Sequence, residues 1–179
     1  MRNDTANWKK PADTLQQLKT GSLHVREVMG IRQTMVSAPA PQKEALSGGL
    51  PLIGWPEIAP ETDYALSLRR DRVLRIGGPV LQDGWNNDAR LAASDMTTGL
   101  TVFDISGADA LALLKRGAAL DVRNSSASCA WLFAGFHILI CQYQTTGTFR
   151  VHVARGLSHA FFETLSAFAD QLSDAPAPA

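Results

Sequence analysis

The chain has 179 residues, of which 45% are apolar and 19% charged, so it can bury enough surface to offset the entropy of ordering and form one domain with a real core. Seventeen Lys and Arg against seventeen Asp and Glu leave no net field to attract a phosphate backbone or an anionic membrane surface, and no run of like charge concentrates one locally. Nucleic acid is therefore not expected as a partner.

The polar start MRNDTANWKK has no hydrophobic stretch behind it, and no apolar run approaches the roughly 18 residues of a membrane span. The expectation is a cytoplasmic protein without membrane contact, in which the sequons at Asn3 and Asn124 carry no meaning. Residues 1–21 read as a flexible arm carrying one aromatic, Trp8, and 174–179 (DAPAPA) as a frayed tail; residues 22–173 form the single domain.

Within the domain, LHVREV and IRQTMV alternate apolar and polar residues as half-exposed strands do. SAPAPQKEALSGG offers a short helix closed by paired glycines. LPLIGWPEIAP is too proline-rich for regular structure and reads as a surface crossing with Trp55 packed down on the core. YALSLRRDRVLRI gives two short strands around a polar turn at Arg69 to Arg72.

The second half is more regular. LTVFDI (100–105) is a strand, 107–116 a helix, CAWLFA (129–134) and HILICQY (137–143) strands, TFRVHV (148–153) another, and 157–172 the final helix. Strand, helix, three strands and helix define an α+β class, with an antiparallel sheet covered by helices on one face.

The stretch DISGADALALLKRGAALDV poses a functional question, because a glycine turn entering a helix can hold an anion. Ser106 followed three residues later by Asp109 instead spells a capping box, which brings acceptors to the free N–H groups itself. Lys115 and Arg116 suit the carbonyl end of this helix, and Gly117 suits a left-handed stop.

Candidate chemistry elsewhere is sparse. His24, His137, His152 and His159 lack the close spacing of a zinc site. Cys129 and Cys141 fall on strands expected to be neighbours and read as reduced core thiols; a meeting of Cys129 with His152 across strands is conceivable, but nothing renders that thiol electropositive. Between Val122 and Phe162 there is no Asp or Glu, so the strand-rich region expected in the middle of the sheet offers no carboxylate for acid–base work. Trp131 and Phe133 share one strand face and, with Phe136 nearby, read as core; were that face exposed, a protein contact would explain it better. No catalytic, cofactor-binding or metal-binding residue is assigned on this chain.

Three segments, SDMTTGLTVFDISGADALALLKRGAALDV (94–122), SASCAWLFAGFHILI (126–140) and FRVHVARGLSHAFFETL (149–165), resemble the gamma subunit of heterotetrameric sarcosine oxidase. More distantly they resemble the folate-binding aminomethyltransferase fold of the glycine-cleavage T-protein. With HVREVMGIRQTMV and DRVLRIGGP upstream, the likeness spans about residues 23–172.

The resemblance implies a subunit without catalytic residues of its own, docked on a large flavin- and folate-binding subunit of an enzyme that oxidatively demethylates sarcosine to glycine and peroxide. It places FAD, FMN, NAD, tetrahydrofolate and zinc on partner subunits. The T-protein relatives carry a catalytic Asp in the region that aligns with 134–140, where this chain reads AGFHILI without a carboxylate. After Gly77 the segment GGPVLQDGWNNDARLAA is shorter than in the related subunits and differs in composition, so a related N-methylglutamate type of amine dehydrogenase also fits. The alternative from another class is a stand-alone folate-binding or aminomethyltransferase-like protein.

Overall fold

The computed structural model describes residues 15–39 and 43–173. In chain order the elements are β1 (Gln17–Lys19), β2 (His24–Val28), β3 (Gln33–Ser37), α1 (Lys43–Ser47), β4 (Leu52–Ile53), β5 (Ile58–Ala59), β6 (Tyr64–Arg69) and β7 (Arg72–Ile76). There follow β8 (Gly84–Asn86), β9 (Leu91–Asp95), β10 (Leu100–Ser106), α2 (Ala110–Gly117), β11 (Ala130–Phe133), β12 (Phe136–Tyr143), β13 (Thr145–Ala154) and α3 (Ser158–Ser173).

The strands make two sheets. The first runs β1-β2-β10-β13-β12-β11, with β5 added in parallel to β12, and the second runs β4-β6-β7-β3-β9-β8. The class is α+β, as expected, but a second sheet lies where a solvent-facing side was expected.

Alternation along the strands of the first sheet explains the layering. Phe103 and Ile105 of β10, Ile138 and Ile140 of β12, and Phe149, Val151 and Val153 of β13 point to the helical side, where they join Leu113 and Leu114 of α2 and Phe161 and Leu165 of α3 in one buried cluster. Phe161 meets Phe133 edge-on at 5.4 Å and Phe103 at 5.7 Å. Ring pairs of this kind contribute about 0.5–1.5 kcal/mol beyond the area they bury.

The opposite face carries Cys141 and Tyr143, which pack against Tyr64, Leu66, Leu74 and Ile76 of the second sheet. The far side of that sheet is capped by α1, where Leu46 meets Val36, Ala65 and Val73. The order of layers is helices, sheet, sheet, short helix.

Several local expectations are corrected. Gln17–Lys19, inside the segment read as an arm, pair with β2 as an edge strand; the rest of that arm up to residue 14, and the tail from 174, lie outside the described residues. The proline-rich crossing contains two two-residue strands, each paired in parallel, although Trp55 is buried as expected. The 78–98 region contributes β8 and β9, which its mixed composition hid.

The capping box does not form, because Ser106 completes β10 and helix α2 begins only at Ala110. Asp109 accepts a hydrogen bond from the Ser22 hydroxyl instead, while the Asp109 and Ala110 N–H groups donate to the carbonyls of Ser22 and Gly107. Gly107, at φ +109°, is needed because a Cβ there would sit 2.3 Å from the Ser22 carbonyl oxygen. Nor does Gly117 act as a left-handed stop; the chain leaves the helix through extended Ala118. Gly117 is required by packing, since a Cβ would lie 2.6 Å from the Phe133 ring.

Candidate functional site

Four buried polar side chains, Gln33, Asp104, Arg150 and His152, gather in the space between the two sheets. Register places Arg26 of β2 opposite Asp104 of β10, Asp104 opposite Arg150 of β13, and Arg150 opposite Cys141 of β12, so one row crosses four strands on the face toward the second sheet. Arg150 donates to both Asp104 oxygens, Nε to Oδ1 at 2.7 Å and Nη2 to Oδ2 at 3.0 Å, and Arg26 Nη2 donates to Oδ2 at 3.2 Å.

Both Asp104 and Arg150 are buried, whereas Arg26 is largely in solvent. The Arg150 guanidinium carbon also lies 3.4 Å from the Tyr143 ring centroid, a cation–π contact. Burial works against the charge on Arg150, but the hydrogen bonds and charge of Asp104 outweigh it and hold the guanidinium protonated above its ordinary range. Tyr64 faces the same place without a hydrogen-bond partner of good geometry for its hydroxyl. Burial first, then Cys141, pushes its ionisation far up, with Arg150 pulling the other way.

The next row holds His152, opposite Val102 and Leu139 and fully buried. Its Nδ1 lies 2.7 Å from Gln33 Oε1, and Gln33 Nε2 donates to the Leu100 carbonyl at 3.2 Å. The amide is thereby oriented to present its oxygen, which assigns the imidazole proton to Nδ1. Nε2 is sealed in without a partner. Burial, followed by the charge of Arg150, depresses the His152 pKa to about 3, so the ring is neutral at physiological pH.

The His152–Gln33 contact connects the two sheets, and the charged groups Asp104 and Arg150 satisfy each other, while the Tyr64 hydroxyl and His152 Nε2 stay unpaired. Asp104 has both oxygens held by guanidinium groups and no open face for a substrate proton. A carboxylate does stand in the middle of the sheet, which corrects the expectation of an interior without one; it comes from β10, upstream of the acid-free stretch 123–161. The sequence signal for a second covering layer is in β12, where Leu139 and Cys141 alternate with Ile138 and Ile140, so residues 138–141 are apolar on both faces, as strands covered on both sides are.

Of the other histidines, His24 is half-buried on β2, and His137 and His159 are exposed. Among the described residues no three His, Cys, Asp or Glu side chains gather as a metal donor set. The conceivable pairing of Cys129 with His152 is not made, because the Cys129 thiol donates to the Ile53 carbonyl at 3.3 Å while His152 bonds Gln33. Both thiols are free and buried; burial is the main cause that raises their pKa values, that of Cys141 to about 12.

Trp131 packs edge-on against Trp55 at 5.8 Å, and Trp55 stacks on Phe149 at 6.1 Å, so the aromatic strand face is core. At the start of α2, Ser22 and Gly107 carbonyls take the N–H groups that an anion would need, and the turn builds structure rather than a ligand site.

Fold and interior together define an α+β domain of two stacked sheets whose buried charges, Asp104 and Arg150, are spent on each other. No family model matches the sequence, and no curated protein matches it. In three dimensions the chain is similar to a chain of the heterotetrameric sarcosine oxidase from Corynebacterium sp. U-96, solved in complex with pyrrole 2-carboxylate. The two share 16% identity and a TM-score of 0.66, over 87% of this chain and 88% of that one. At that identity the likeness establishes a common fold. Among the described residues no helix is long and apolar enough to cross a membrane.

Proposed function

We propose that this chain is a non-catalytic subunit of a sarcosine-oxidase-like heterotetrameric flavoenzyme that oxidatively demethylates sarcosine to glycine, the one-carbon unit passing to tetrahydrofolate. The observation that carries the reading is the mutual coverage with the U-96 chain. Shares of 87% and 88% mean that the likeness takes in most of both chains, so it is to the body of one chain of a heterotetramer and not to a small part of a larger one.

The chemistry of the interior supports the non-catalytic part. Asp104 is saturated by two arginines, His152 is neutral and sealed, and both thiols are protonated at neutral pH. In this reading FAD, FMN, NAD, tetrahydrofolate and zinc belong to partner subunits, chief among them a large flavin- and folate-binding chain. Among the described residues no three His, Cys, Asp or Glu side chains gather as a donor set for zinc. The two-sheet body is taken to be of the folate-binding aminomethyltransferase type, retained as a scaffold.

The test is affinity capture of the tagged full chain from the cells that express it. Co-purification of a larger polypeptide in fixed ratio, with a flavin absorbance spectrum, is the expected result. A colourless preparation containing this chain alone would count against the reading.

A further inference from the structure

β11 forms the free edge of the first sheet and differs from the edge at the other end. There β1 is three residues long and ends in exposed Lys19, the usual protection of a strand edge by brevity and charge. At β11 the stretch SASCAWLFAGFHILI has no Asp, Glu, Lys or Arg, and Leu132 is 56% exposed.

Hydrogen-bond parity shows what this edge offers. β11 and β12 are joined by the two-residue turn Ala134–Gly135, both at positive φ, so Phe133 and Phe136 close the hairpin and Trp131 pairs with Ile138 through the ladder. The N–H and C=O of Leu132 then face away from β12, as does the C=O of Ala130. Of the donors nearby, Ala130 N–H goes to the Ser128 hydroxyl and Ala134 N–H to the Gly117 carbonyl. No strand pairs with β11 on its outer side among the described residues.

The side chains of Ala130 and Leu132 also form one wall of a groove of about 450 Å³ that continues over Leu139, Ala154, Leu100 and Met35. No Asp, Glu, Lys or Arg lines it. A strand added at Leu132 would direct every second side chain toward this wall, and small Ala130 leaves room there for a bulky one. Its polar side chains are His152, neutral at physiological pH, and His137 at the exposed rim, so the floor of the groove suits an uncharged segment, because an ion seated there would lose water without gaining a fixed counter-ion.

We propose that β11 is an acceptor edge onto which an extended, uncharged segment of the partner subunit adds as a further strand, pairing through the Leu132 backbone and setting apolar alternate side chains into the groove. Such strand addition draws affinity from the main chain and specificity from the alternate pockets. The proposal rests on the subunit reading above and names the surface by which the subunit docks.

The experiment compares amide hydrogen exchange in the full chain alone and in the complex isolated with it. The Leu132 amide should exchange freely in the isolated chain and about 100-fold more slowly in the complex, with Trp131 protected in both. Leu132→Pro removes the outward donor together with the groove-wall side chain, and Leu132→Lys places a charge at the edge. Each should leave the isolated chain's melting temperature within a few degrees and weaken assembly at least tenfold. A complex in which Leu132 exchanges as fast as in the free chain overturns the strand addition while leaving the subunit reading standing. A chain that assembles with nothing overturns both, and a dimer of this chain alone with Leu132 protected overturns it in favour of self-pairing.

Discussion

Asp104 and Arg150 stand opposite each other on adjacent antiparallel strands and are joined by two hydrogen bonds in a place where neither side chain is more than 6% exposed. A buried pair of this kind contributes little relative to apolar residues of the same shape, yet breaking it leaves an uncompensated charge. Asp104→Leu is therefore expected to cost about 3–5 kcal/mol of stability. The double variant Asp104→Leu, Arg150→Met should recover most of that loss. Urea denaturation of the three proteins checks this, and a single variant as stable as the double one would contradict it.

His152 makes stability depend on pH. Its folded pKa, about 3, lies below the ordinary value of 6.5, so the unfolded chain takes up the proton first as the medium is acidified. The stability that depends on a neutral ring is complete above about pH 6.5 and is lost progressively from there down toward pH 3. Between pH 7 and pH 5 this amounts to roughly 2 kcal/mol from one group. Urea midpoints measured across that range should fall for the native chain and stay flatter for His152→Gln.

Gly117 offers a test with an unusual sign. Glycine to alanine within a helix ordinarily stabilises, by up to about 1 kcal/mol. Here the added methyl meets the Phe133 ring, which is buried and cannot move aside, and overpacking of this sort costs about 1–3 kcal/mol. Gly117→Ala should lower the melting temperature, and adding Phe133→Leu should reverse part of the drop.

The thiols should be silent in the native state. With Cys141 at about 12 and Cys129 also raised, neither forms appreciable thiolate at neutral pH, and both are shielded from reagents. An aromatic disulfide reagent should label neither until denaturant is added, and then both. Rapid labelling of native protein would show that the core opens.

Particular residues show where the sequence was readable. β10, β12 and β13 were plain because they are rich in β-branched and aromatic residues between turn signals, and α3 because its apolar residues recur at helical spacing. β8 and β9 were not, since Gly84–Asn86 and Leu91–Asp95 lack large apolar residues and are held by pairing with β3 and with each other. The second sheet escaped notice for a related reason. Asp104 in LTVFDI and Arg150 in TFRVHV are charged residues in otherwise mostly apolar strands, and each supplies the charge that lets the other be buried. Ser106 and Asp109 had capping-box spacing, but pairing with β2 and β13 extends β10 through Ile105 and Ser106, and tertiary contacts with Ser22 replaced the local cap. The absence of a carboxylate in 123–161 was a correct observation about the sequence that did not describe the space those strands enclose.

The role proposed for this chain is to support a reaction that it does not itself perform. The most direct measurement is peroxide formation from sarcosine, with tetrahydrofolate present, by the purified chain alone and by the assembly isolated with it. Activity in the assembly and none above background in the isolated chain is the predicted result. Turnover of sarcosine by the isolated chain would contradict the account.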